Sequence, residues 1–196
     1  MAESRSYLRI ALDCWILIAR GIERGDSGMD QKQGKDRRST SRSQADLSAR
    51  RQNEILIIED NKPDVFLMQE ALTVAGIDSV VHVVHDGAAA IHFIDSTDND
   101  DHAPCPDVVL LDLNLPKASG GEVLRRMRAS RRFRGTPVVI VTSSNSDKDR
   151  ALLSELGANE FFQKAASYAE FMKLGSLVKE LLNESESSDD DAPACF

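Results

Sequence analysis

The chain has no excess of positive charge, no paired cysteines, no glycine-rich phosphate loop and no long apolar run, and each absence excludes a class of protein. A formal net charge of −8 and a pI near 5.0 argue against a nucleic-acid binder, whose footprint is basic. The same charge repels phosphates unless a cation intervenes. Cys14, Cys105 and Cys195 stand far apart with no CxxC spacing, which reads as reduced thiols in a cytoplasmic protein. His82, His85, His92 and His102 match no zinc spacing with those cysteines and read as structural or surface groups. Leu8 to Ile22 is apolar but broken by Arg9, Asp13 and Arg20, so it is too short to cross a bilayer, and no small-residue cleavage site follows. It reads as a weakly structured leader, with a short interfacial or docking helix as the alternative. Met29 offers a second start besides Met1.

What is present divides the chain in three. Residues 1–52 form a leader and linker, and within them 23–52 hold almost no large apolar residue and cannot offset their ordering entropy. Residues 53–183 carry the apolar pattern of one domain. Residues 184–196 form a Ser- and acid-rich tail expected to stay mobile through self-repulsion. No internal repeat is evident.

Within 53–183, Glu54-Ile55-Leu56-Ile57-Ile58 is a short, almost wholly apolar run, as expected of a strand buried on both faces. Pro63 suits a first helical turn, and Val65, Phe66, Met68, Leu72 and Val74 recur at helical spacing up to Gly76. The alternation continues with strands at 80–84, 108–111, 137–141 and 160–163, and helices at 88–94, 121–129, 148–156 and 169–182. Five strand-then-helix repeats with right-handed crossovers predict a doubly wound α/β parallel sheet, with ligands at the carboxyl ends of the strands.

Those ends carry the chemistry. Glu59 and Asp60 follow the first strand, Asp112 the third, Thr142 the fourth and Lys164 the fifth. Clustered carboxylates repel, so one takes up a proton unless a cation joins them. An all-oxygen set of this kind suits Mg2+, and no calcium-binding loop is present. A carboxylate so placed can attack phosphorus and form an acyl phosphate, with a lysine and a hydroxyl on the phosphoryl oxygens.

Asp60 to Asp112 is 52 residues, Asp112 to Thr142 is 30, and Thr142 to Lys164 is 22. With Gly120 in the KASGG loop, these residues resemble the receiver domain of two-component response regulators over the whole of 53–183. The opening EDNKPDVFLMQEAL and the insertion at 96–106 look most like the stand-alone receivers associated with phytochrome-type kinases. The resemblance implies a flavodoxin-like (βα)5 sheet of order 2-1-3-4-5. It makes Asp112 the phosphoacceptor and assigns Mg2+ to Asp60, Asp112 and the Asn114 carbonyl, with Glu59 acting through water. Thr142 and Lys164 would hold the phosphoryl group, and Phe161 would be the switch aromatic. Asn114 and Ser144 would tune the attacking water. It implies a sensor histidine kinase or phosphotransfer protein as donor, a downstream protein target and no catalytic turnover, and leaves a homodimer open.

One departure is Ala165, where the family usually has proline after a cis bond. A cis bond before alanine costs about 3 kcal/mol. The expectation is altered switching or a differently seated Lys164. Two rival readings follow: a docking domain that takes no phosphate, and an aspartate-nucleophile phosphatase, against which Asn114 stands where a second Asp would be the acid.

Overall fold

The computed structural model describes residues 52–103, 105–144 and 147–187. The expectations for the leader, including Met1 against Met29, and for the acidic tail beyond residue 187 lie outside the described residues. Five strands, β1 (Asn53–Ile58), β2 (Ser79–Val84), β3 (Val108–Leu111), β4 (Val138–Thr142) and β5 (Glu160–Gln163), form one sheet of order β2-β1-β3-β4-β5, every pair parallel. The helices between and after them are α1 (Lys62–Val74), α2 (Gly87–Asp98), α3 (Gly120–Ala129), α4 (Asp147–Glu155), α5 (Tyr168–Phe171) and α6 (Lys173–Ser187).

The wholly apolar runs became the central strands. Ile55 to Ile58, Val108 to Leu111 and Val138 to Val141 are buried on both faces, whereas β2 and β5 form the half-exposed edges. Alternate residues face opposite ways along a strand. Ile55 and Ile57 therefore pack with Val65, Met68 and Leu72 of α1 and with Leu174 and Val178 of α6. On the other face α2 packs against α3, and Phe93 meets Phe133, in the turn after α3, edge-on at 6.0 Å. Each such fully buried side chain contributes about 1.5–3 kcal/mol.

Two expectations need correction. The final helix at 169–182 is two helices, interrupted at Met172. Ser167 caps α5 by accepting from the Glu170 N–H, and α5 lays Phe171 on Phe162 at 5.6 Å before the chain re-aims as α6. Phe171, Leu174, Val178 and Leu181 share one core, so their spacing keeps a helical period across the break. Moreover, α6 runs to Ser187, five residues past the expected helix end at 182. Leu181 and Leu182 are buried there, and the Ser185 hydroxyl donates to the Leu182 carbonyl at 2.8 Å.

The end of α2 and the segment after it are held by arginines. Arg126 pairs with Asp95 and Asp98 at 2.5 and 3.0 Å, and the buried Arg132 guanidinium donates to the carbonyls of Thr97, Asp100 and Ala103. No helix among the described residues is long and apolar enough to cross a membrane.

Candidate functional site

The sheet ladder carries three site residues one step past their strands. Glu59 N–H donates to the Val84 carbonyl at 3.0 Å, Asp112 N–H to Ile58 at 3.0 Å and Lys164 N–H to Thr142 at 2.8 Å. Parallel strands end on the same rim, so Glu59, Asp60, Asp112, Thr142 and Lys164 stand there together. Glu59 is fully buried, Asp112 is 4% exposed and Thr142 is 6% exposed. One oxygen from each of Glu59, Asp60 and Asp112 lies within 4.8 Å of the others. Such an all-carboxylate set, with Asp60 opening to solvent, fits a small hard cation that keeps some of its water.

Lys164 supplies the positive charge at this end. Its ammonium donates to Glu59 Oε2 at 2.7 Å, Asp64 Oδ2 at 2.8 Å and Asp112 Oδ2 at 3.1 Å. Burial alone would pull its pKa down; the bonds to Asp64 and Glu59 and the charge of Asp112 outweigh it, and the ammonium is held above its ordinary value. Burial pushes the Glu59 carboxyl above the usual carboxylate range and the Asp112 charge adds to the rise, against the opposing bonds from Lys164 and the Asn61 N–H. Asp112 Oδ1 accepts from the Leu113 N–H at 2.7 Å, which fixes the rotation of the carboxylate.

The loop between Asp112 and α3 is closed by contacts that no bulkier backbone would allow. Gly120 N–H donates to the Leu113 carbonyl at 3.0 Å, and a Cβ on Gly120 would stand 2.2 Å from the Asp112 carbonyl oxygen. Gly87 N–H donates to the Pro116 carbonyl at 3.1 Å, and its Cβ would stand 1.9 Å from the Ala118 oxygen. Lys117, between them, adopts a φ of 70° and pairs with Asp86 at 2.6 Å. Gly120→Ala is therefore expected to lose about 2–3 kcal/mol, because the added methyl meets backbone rather than a pliable side chain. Urea unfolding measures it, and a wild-type midpoint would contradict the close approach.

Thr142 Oγ1 accepts from the Ser144 N–H at 3.1 Å. Asn114 stands exposed two residues beyond Asp112, and Phe161 is half-buried on β5 with the Arg150 guanidinium 5.7 Å from its ring centre. The described residues contain no cis peptide bond, so the Lys164–Ala165 bond is trans, and Lys164 nonetheless reaches the pocket. Sequence reasoning missed Asp64, Asp86 and Lys117. Asp64 lies in the first turn of α1, where an acid already suits the helix N-terminus, and that ordinary use hid its bond to Lys164.

Comparison with known proteins agrees with this geometry. The family model described as the response regulator receiver domain matches residues 55–174. The response regulator Rcp1 of Synechocystis sp. is 35% identical over 120 residues, which are 61% of this chain and 82% of that protein. The crystal structure of the Mn(2+)-bound form of Rcp1 superposes with a TM-score of 0.61 at 31% identity, covering 72% of this chain and 99% of that one. The phosphorylated cyanobacterial phytochrome response regulator RcpA gives the same TM-score and identity over 68% of this chain and 95% of that one.

Proposed function

Since this chain belongs to the response regulator receiver domain family, we propose that it accepts a phosphoryl group on Asp112 from a sensor histidine kinase or phosphotransfer protein and signals through contacts with a downstream protein. The observation that carries the reading is the Lys164 ammonium, 3.1 Å from Asp112 Oδ2, beside three carboxylates gathered on one rim. Glu59, Asp60 and Asp112 are the residues to hold Mg2+, with the Asn114 carbonyl as a further ligand and Glu59 acting through water. The Mn(2+) form of Rcp1 supports a divalent ion at such a site. When bound, the ion offsets charge on the phosphoryl oxygens.

The chain's own groups then have defined tasks. Leu113 N–H holds Asp112 Oδ1, leaving Oδ2 on the Lys164 side as the attacking oxygen. A P–O bond forms there as the P–N bond of a phosphohistidine, or the P–O bond of acetyl phosphate, breaks. Its electron pair leaves with imidazole or acetate. Lys164 meets one phosphoryl oxygen. Thr142 Oγ1 leaves the Ser144 N–H to donate to another, and Phe161 moves away from Arg150 as the switch aromatic. The chain acts as an acceptor and not as a turnover enzyme, because Asn114 stands where a phosphatase of this type has its acid.

Incubation with acetyl phosphate and Mg2+, followed by intact mass, tests the reading. Wild type gains one phosphoryl group and Asp112→Asn gains none. A wild type that gains nothing from either acetyl phosphate or a phosphorylated kinase would be a docking domain. Continuous release of phosphate from small phosphoesters would make it a phosphatase.

A further inference from the structure

Lys164 has three N–H donors and gives them to three carboxylates, but only two of those belong to the cation cluster. Glu59 and Asp112 are those two, and their oxygens are the ones a bound ion and an incoming phosphoryl group would claim. Asp64 stands outside that cluster, on the first turn of α1 and reached by Lys164 at 2.8 Å. Its side chain keeps 22% of its exposure, against 0% for Glu59 and 6% for Asp112, so it sits at the rim rather than in the floor. The α1 backbone fixes it, since Val65 N–H donates to the Asn61 carbonyl at 3.0 Å and Val65 and Met68 are anchored in the core. A long lysine side chain is flexible and loses rotamer entropy when held. A contact that persists while the other two are exchanged lets the ammonium stay over the acceptor oxygen through the reaction.

We propose that Asp64 is a positioning residue that holds the Lys164 ammonium over Asp112 by the one carboxylate bond that neither the cation nor the phosphoryl group displaces. The proposal rests on the phosphoacceptor reading of Asp112 for its consequence, though not for the contact itself. Asp64 touches no reacting atom; it acts through Lys164. Removing its charge frees the ammonium to follow the bulk of the negative charge, and the rate of acyl-phosphate formation falls. Outer partners of this kind typically change such sites by about tenfold. The Mg2+ affinity changes little, because Asp64 contributes no oxygen to the cluster.

A double-mutant cycle in the full chain tests it, with acetyl phosphate and Mg2+ as the probe and intact mass as the rate readout. Asp64→Asn slows adduct formation about tenfold, Asp64→Glu restores part of the rate, and in the Lys164→Ala background Asp64→Asn has roughly no further effect. The same slowing in both backgrounds, or a rate equal to or above wild type, overturns the proposal. The second measurement needs no phosphorylation: the proton and nitrogen-15 resonances of the Lys164 ammonium in Mg2+-free protein shift, or exchange faster with water, in Asp64→Asn. If wild type takes no phosphoryl group, the phosphoacceptor reading fails alone and this resonance decides: a changed signal retains Asp64 as the holder of Lys164, and an unchanged one overturns it.

Discussion

Lys164→Ala is expected to slow phosphorylation of Asp112 by acetyl phosphate about 100-fold, the usual consequence of deleting one donor aimed at developing charge. The ammonium lies 3.1 Å from Asp112 Oδ2 and has only 13% of its side chain exposed, so water does not readily replace it. Its loss leaves Glu59, Asp64 and Asp112 without their shared cation. Breaking one side of a buried ion pair costs about 3–5 kcal/mol, although proton uptake by Glu59, already pushed upward by burial, absorbs part of that. Binding of Mg2+ should become tighter, because the ion then supplies charge that the lysine no longer does. A time course of the mass adduct and a calorimetric titration with Mg2+ separate these effects. A wild-type rate would remove Lys164 from the chemistry, and weaker Mg2+ binding would mean that the lysine organises the cluster instead of competing with it.

The sequence and the fold differ in what they make legible. Ile55 to Ile58 and Val108 to Leu111 announce central strands because both faces are buried and no polar residue interrupts them. The residue next after such a strand must stand on the ligand-binding rim, which is why Glu59 and Asp112 could be placed from their neighbours alone. Asp64 could not. Its partner lies 100 residues away, and only the closing of α1 and β5 over the same rim joins them. The Asp86–Lys117 pair is hidden for the same reason, its members standing 31 residues apart with a backbone φ that lysine seldom adopts. The break at Met172 is invisible because periodicity reports which side chains are buried, not whether the helix axis continues between them. Residue types and spacing thus specify which groups reach the rim, while the pairing among them depends on side-chain reach.

Addition of Mg2+ is expected to raise the melting temperature near neutral pH by about 10 °C at a concentration about 100 times its Kd, and this gain should shrink as pH falls toward the ordinary carboxylate range. Ligand at that level adds about 2.7 kcal/mol to the folded state, and each kcal/mol is worth about 2–8 °C for domains near this size. The pH dependence follows from Glu59, whose folded pKa lies above its ordinary value of 4.5 because of burial. A carboxyl raised in the folded state makes the folded form the better proton acceptor. Its contribution to stability is fully present below the ordinary value and is lost as pH rises through the folded pKa. In chelator, this site therefore favours folding toward acid and opposes it near neutrality, where Glu59, Asp60 and Asp112 repel. In Mg2+ the sign reverses, since the ion needs the same oxygens ionised. Taking the difference with and without Mg2+ at each pH removes the titration of carboxyls elsewhere. Glu59→Gln should accordingly melt higher than wild type in chelator at neutral pH and should gain less from Mg2+. A gain that stays constant as pH falls from neutrality into the ordinary carboxylate range would mean that Glu59 does not exchange a proton for the ion. A variant melting lower in chelator would mean that its bonds to Lys164 and the Asn61 N–H outweigh the repulsion that its charge brings.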